Sequence, residues 1–124
     1  MILGLGVDLC EIARMERAIA REGFLARYFT QEERDYIASR GAMGAQTAAG
    51  LFAAKEAMLK ALGVGLAVPL REVGVTHDAQ GAPRAALTGA AAARLAALGG
   101  RTMHLSISHE GGMAVAMADR KSVV

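Results

Sequence analysis

The run Phe52-Ala53-Ala54-Lys55-Glu56-Ala57-Met58-Leu59-Lys60-Ala61-Leu62-Gly63 sets one acid and two lysines into a stretch otherwise built of apolar and small residues. It reads as a helix that begins near Thr47 or Gly50 and stops at Gly63, whose lack of a side chain suits the left-handed position after a helix end. Glu56 and Lys60 are four residues apart with the acid first, the favourable order for a helix-surface ion pair worth about 0.2–0.5 kcal/mol. Lys55 does not fit that account. On a helical projection it falls among Leu51, Phe52, Met58 and Leu62 on the apolar side, where an unpaired ammonium is expensive. It must snorkel or find an anion, and a phosphate oxygen is one candidate.

On the N-terminal side, residues 2–9 read as a strand with Leu3, Leu5, Val7 and Leu9 on one face and Ile2, Gly4, Gly6 and Asp8 on the other. The two glycines leave open space beside a carboxylate, the mark of a close approach by a backbone or a ligand. They are not a dinucleotide fingerprint, because Leu9 stands where its third glycine belongs. A helix over residues 11–22 carries Ile12, Met15 and Ile19 on one face and Arg14, Arg17 and Arg21 on the opposite one. Residues 30–40 form a second helix, with Thr30 as N-cap and Glu33 at the capping-box position, broken by the Gly41–Gly44 segment. On the C-terminal side, residues 73–76 and 84–87 make a hairpin around a turn at 78–81. A helix over 89–98 follows, capped by Thr88 and ended by Gly99-Gly100, and strands 102–108 and 113–118 flank Gly111-Gly112. This order predicts one compact α+β domain spanning residues 1–124, with helices packed on a mainly antiparallel sheet.

Composition narrows the partners. Hydrophobic residues are 53% of the chain but aromatics only 4%, so the core is assembled from small and aliphatic side chains, and surplus apolar surface is of the kind a second subunit covers. A net charge of +2 is too small to imply nucleic-acid binding by bulk charge. Cys10 is the only cysteine, which excludes an intrachain disulfide and a cysteine metal cluster and fits a reducing cytoplasm. Neither a signal peptide nor a spanning helix is expected, and no membrane partner.

Asp8 has two readings: an N-cap of the following helix with Glu11 as its box partner, or a metal ligand. The N-cap is the stronger reading of Asp8 taken alone; the glycines on its face and the second isolated carboxylate at Glu56 raise the ligand reading beside it. Two separated carboxylates with few other donors suit a hard cation such as Mg²⁺, which keeps several waters and takes substrate phosphates into its octahedron. Zinc is disfavoured, since His77, His104 and His109 are scattered. His109 ends a strand just before a glycine turn, a place where side chains commonly face a ligand.

Four segments together, Gly4-Leu5-Gly6-Val7-Asp8 with Glu11 and Arg14, Phe52 to Ala57 with Lys60, Ala61 and Gly63, Gly81-Ala82-Pro83-Arg84, and Ser106-Ile107-Ser108-His109, run nearly end to end in the chain. In that order and spacing the chain resembles the holo-[acyl-carrier-protein] synthases, the small class of 4′-phosphopantetheinyl transferases. The resemblance implies transfer of phosphopantetheine from coenzyme A to a serine of acyl carrier protein in fatty acid biosynthesis, with 3′,5′-ADP as leaving group. It implies Asp8 and Glu56 as Mg²⁺ ligands and Asp8, Glu56 and Lys60 as the catalytic set. Lys55, Lys60, Gly63, Ser108 and His109 would bind coenzyme A, the last two from a neighbouring subunit of a homotrimer. Arg14, Arg17 and Arg21 would face the acidic carrier. A water on the metal or Glu56 would take the serine proton. The family usually has an arginine directly before the motif's phenylalanine; here that position is Leu51, so Arg40, Arg84 or a partner residue must substitute. Two other readings use the same residues: a different Mg²⁺-dependent phosphoryl or nucleotidyl transferase, and an interaction domain whose arginine face binds an acidic protein or RNA.

Overall fold

The computed structural model describes residues 1–121, Leu66 without its side chain. In chain order the elements are β1 (Ile2–Glu11), α1 (Ile12–Ile19), α2 (Phe24–Tyr28), α3 (Gln31–Ser39), α4 (Gly44–Leu62), β2 (Val73–His77), β3 (Pro83–Leu87), α5 (Gly89–Ala97), β4 (Thr102–Glu110) and β5 (Met113–Lys121). Single 3₁₀ turns occupy Gly41–Met43, Gly65–Ala67 and Leu70–Glu72. The strands form a three-stranded sheet in the order β1-β5-β4 and a two-stranded hairpin β2-β3, with every pairing antiparallel. The expected α+β arrangement is the one observed.

The helix α4 lies at the centre because its composition lets neighbours come close. Ala48, Ala49, Ala53, Ala54, Ala57 and Ala61 are all buried, and so are Leu51, Met58, Leu59 and Leu62, so the helix is apolar nearly all round, the pattern of an interior helix. β1 packs against it through glycine. A β-carbon on Gly6 would collide with the Ala57 carbonyl, and one on Gly4 would sit 3.0 Å from the Ala61 carbonyl oxygen. The open space read beside Asp8 is therefore filled by the backbone of α4, with no room there for a ligand. Gly63 ends α4 at φ 68°, as its position predicts, and its N–H donates to the Lys60 carbonyl at 3.1 Å.

Other boundaries move for identifiable reasons. β1 continues through Glu11, so α1 begins at Ile12 and Asp8 is a strand residue, which removes its N-cap reading. A short helix, α2, follows Gly23 and was not foreseen; Phe24, Tyr28 and Phe29 in it and just after it meet Phe52 of α4 at ring separations of 6.3–6.4 Å, so tertiary packing holds what five residues of sequence do not announce. The helix α4 starts at Gly44, which has helical dihedrals and is buried, while Gly41 at φ 54° makes the break. α5 is capped by a distant residue: the N–H groups of Ala90 and Ala91 donate to Glu72 Oε1 at 2.7 and 3.4 Å, and Thr88 makes no side-chain cap. The capping box of α3 is present in both directions, Glu33 N–H to Thr30 Oγ1 at 3.1 Å and Thr30 N–H to Glu33 Oε1 at 2.8 Å.

Among the described residues, nothing covers the second face of β1 around Leu5, Val7 and Leu9. Leu5, Val7 and Leu9 are 59%, 52% and 61% exposed, and Met117 beside them on β5 is 50% exposed.

Candidate active site

Strand alternation turns Asp8 to the same side as Gly6, toward α4, and one helical turn places Glu56 and Lys60 on the α4 face that meets it. Lys60 Nζ donates to Asp8 Oδ1 at 3.0 Å and to the Val7 carbonyl at 3.0 Å, so its ion pair is with Asp8 across the helix–strand seam. Asp8 and Glu56 line one cavity of about 300 Å³, with Glu11, Arg14, Arg21 and Phe52 among its walls. Burial pushes the Glu56 carboxyl above its usual range, the Asp8 charge adds to this, and Lys60 opposes it. Burial also raises the Cys10 thiol on the same rim, with the Asp8 charge next in effect.

This site has two adjacent carboxylates that repel each other and one ammonium already in contact with one of them. Burial is the main reason the Glu56 carboxyl is held up, and a cation held by the two would relieve the smaller part that the Asp8 charge adds. Their donors are hard oxygens, which fits a small divalent cation whose remaining positions are filled by water and phosphate. Among the described residues no group of three or more His, Cys, Asp or Glu side chains converges, so a tight all-protein metal cage is not what this site offers. A larger cavity of about 580 Å³ lies between β3, α5 and β4, but it contains no carboxylate. Size does not locate the chemistry here.

Lys55 is elsewhere. Its ammonium is fully buried, 2.7 Å from Glu33 Oε1, and donates to the carbonyls of Leu70 at 2.9 Å and Val73 at 3.3 Å. Burial lowers its pKa while Glu33 counteracts. The anion that Lys55 needed is thus a carboxylate of the chain itself, and its assignment to coenzyme A phosphates is corrected: no phosphate can reach it. Glu33 is the residue that sequence reasoning missed. Its capping-box place was legible, but the same carboxylate also accepts from Val75 N–H at 2.7 Å, which only the packing of β2 on α3 reveals.

Arg14, Arg17 and Arg21 are all exposed and border a shallow depression of about 460 Å³. Arg14 and Arg21 also reach the carboxylate cavity, so the basic face and the Asp8–Glu56 pair are continuous. Ser108 and His109 lie at the far end of β4, exposed, and His109 Nε2 is 3.0 Å from the Gln46 amide. They do not line the Asp8–Glu56 cavity. Gly63 closes α4 beyond Lys60, one turn further from Glu56.

Residues 4–116 match the family described as the 4′-phosphopantetheinyl transferase superfamily. The chain belongs to that superfamily. A relative from Treponema denticola named holo-[acyl-carrier-protein] synthase is 43% identical over 111 residues, covering 89% of this chain and 90% of its own length. The crystal structure of holo-[acyl-carrier-protein] synthase from Neisseria meningitidis superposes with a TM-score of 0.85 at 31% identity, over 98% of this chain and 100% of that one. A holo-(acyl-carrier-protein) synthase from Bacillus anthracis, solved in complex with CoA (3′,5′-ADP), superposes with a TM-score of 0.81 at 32% identity, over 99% of both chains. In this phosphopantetheinyl transferase fold the Asp8–Glu56 cavity is the place where acidic and basic side chains converge from β1, α1 and α4.

Proposed function

We propose that this phosphopantetheinyl transferase moves 4′-phosphopantetheine from coenzyme A to a serine of an apo-acyl carrier protein and releases 3′,5′-ADP, the activity of a holo-[acyl-carrier-protein] synthase. The observation that carries this reading is the meeting of Asp8 and Glu56 at one cavity whose wall continues into Arg14 and Arg21, with Lys60 bonded to Asp8 beside it. Asp8 and Glu56 would hold Mg²⁺, which when bound offsets the charge on the pyrophosphate as it leaves. Lys60, exposed and already beside Asp8, is placed to exchange part of that contact for a phosphate oxygen. Glu56, with its carboxyl raised by burial, is the chain's own group suited to take the serine proton as the new oxygen–phosphorus bond forms and the bond to 3′,5′-ADP breaks. Gly63 would let the backbone after Lys60 approach the nucleotide.

Arg14, Arg17 and Arg21 would orient the acidic carrier so that its serine enters the cavity they border. The bare apolar face of Leu5, Val7, Leu9 and Met117 supports self-association, in our reading a homotrimer in which Ser108 and His109 complete the coenzyme A site of a neighbouring copy. The chain would act as a single domain in the cytoplasm. No helix among the described residues is long and apolar enough to cross a membrane.

The test is to incubate the protein with coenzyme A, an apo-carrier and Mg²⁺ and to weigh the carrier. A gain of one phosphopantetheine is expected. Coenzyme A consumed with the carrier unchanged would point to a different phosphoryl transferase, and no Mg²⁺-dependent chemistry would leave an interaction domain.

A further inference from the structure

The cavity of about 580 Å³ between β3, α5 and β4 shares no lining residue with the Asp8–Glu56 cavity. It exists because the two sheets do not join. β3 is the outer strand of the hairpin, β4 is the outer strand of the three-stranded sheet, and no backbone ladder links them. Alternate strand positions face one way, so Ala85 and Leu87 of β3 and Met103 and Leu105 of β4 line the cavity together, and Ala92 and Leu95, three apart on α5, complete the wall. Of these only Met103 is buried; the other five are half-buried, so the apolar wall stays open. Arg84, Arg101, Thr102 and His104 supply the polar groups, and no Asp or Glu is among the lining residues. Arg84 is held by Asp78 at 3.3 Å. Among the described residues no carboxylate lies within ion-pair distance of Arg101, whose N–H donates to the Lys121 carbonyl at 2.8 Å and fixes its place just before β4.

These features select a ligand class without reference to the transferase reading. The volume falls in the range of small-molecule sites, about 300–1,000 Å³, and apolar walls with a few polar groups are the usual make-up of such sites. A free inorganic anion would leave the apolar wall unused, and a neutral hydrocarbon would leave the guanidinium unused. A nucleotide fits poorly, since the exposed His104 imidazole is the one ring on which a base could stack. We infer that this cavity binds a linear alkyl carboxylate, with its chain on the apolar wall and its head on the Arg101 guanidinium. The planar fork of an arginine matches both carboxylate oxygens at once. One negative charge also matches one uncommitted cation, whereas a phosphate monoester, at about −1.5 to −2 near pH 7, would have to take Arg84 from Asp78 as well.

Calorimetry on the full chain with decanoate at monomeric concentrations, without Mg²⁺ or coenzyme A, tests this. One saturable site per chain is expected. Decanol should bind at least about tenfold more weakly, the scale of losing a charge-assisted hydrogen-bonded pair, and octanoate about tenfold more weakly, since each buried methylene is worth about fourfold. Arg101→Ala should lower decanoate affinity about tenfold and leave decanol within about twofold, so the preference for the acid disappears. Ala92→Phe, which fills the cavity from α5, should remove both ligands, and Arg101→Gln serves as the measured variant if Arg101→Ala does not fold. The inference is overturned if decanoate shows no saturable site, if decanol binds equally well, or if neither substitution alters decanoate binding. Decyl phosphate binding more tightly than decanoate would overturn the carboxylate head. Displacement of decanoate by coenzyme A would place the ligand in the transferase site and overturn the separate cavity, whereas failure of the protein to modify any apo-carrier would remove the transferase reading and leave this site standing.

Discussion

Lys55 and Lys60 stand on the same helix, yet one is locked and the other is available. The Lys55–Glu33 pair has no solvent exposure on either side chain, while in the Lys60–Asp8 pair the lysine is 56% and the aspartate 24% exposed. Five residues at about 100° each put the two lysines on different faces of α4, one toward α3 and β2 and the other toward β1. Taking two charges out of water is costly, and the Lys55 pair meets that cost by satisfying every neighbour: two carbonyls on the ammonium side, and the Thr30 and Val75 N–H groups on the carboxylate side. The Lys60 pair lies in water, is worth little to the fold, and for that reason can trade partners with a substrate. Residue type alone does not separate a structural lysine from a phosphate-binding one; the location of the counter-charge does.

Four experiments probe this contrast. The largest effect is expected on the exposed side, where Asp8→Ala and Glu56→Ala should each lower transfer at least about a thousandfold, the scale of losing several kcal/mol of charge stabilisation, with the melting temperature nearly unchanged. Wild-type rates in either variant at limiting Mg²⁺ would remove the metal assignment. On the buried side the loss should fall on stability: Lys55→Met leaves the Glu33 carboxylate alone in the interior and should cost about 3–5 kcal/mol in denaturant unfolding. Adding Glu33→Gln should recover part of that loss, because no charge is then stranded; strictly additive losses would mean that the two residues do not act as a pair.

Arg14→Glu with Arg21→Glu should raise the KM for apo-carrier about tenfold at low salt and flatten its salt dependence. Both arginines also border the carboxylate cavity, so Arg17→Glu is the sharper probe of carrier docking alone. If coenzyme A binding falls in step with carrier binding in the double variant but not in Arg17→Glu, the first two arginines belong to the nucleotide side of the site. The smallest effect concerns protons. Glu56 keeps its proton to higher pH in the folded protein than in the unfolded chain, so its contribution to stability is present below that raised range and is lost as pH climbs through it. Without metal, Glu56→Gln should melt slightly above the wild type at pH 7 and lose this pH dependence. A variant that melts lower would mean that the ionised carboxylate is stabilised where it sits.

Much of the fold was legible because the signals are local. The Thr30–Glu33 box, the left-handed Gly63, the Gly111-Gly112 turn and the 78–81 turn each depend on a few consecutive residues, and all appear. α2 was not legible, since it is held by an aromatic cluster that includes Phe52 from another helix. The site divided the same way. Asp8 and Glu56 come to one cavity, but Lys60 pairs with Asp8 across the seam and not with Glu56 one turn before it, and Lys55 was misassigned because its partner, Glu33, had already been accounted for as a cap.

The sequence by itself determined the order and type of the main elements, the α+β class and the acidic pair with its neighbouring lysine, since periodicity, capping and glycine position act over a few residues. Only the tertiary structure decided which lysine is buried, that Gly4 and Gly6 receive a helix and not a ligand, that Glu72 caps α5, that one face of β1 is left bare, and that a cavity with arginines but no acids opens between β3, α5 and β4. Each of these depends on which surfaces meet across long stretches of chain, and the cost of desolvating a charge or the room left by an absent side chain takes its value only once those surfaces are in contact.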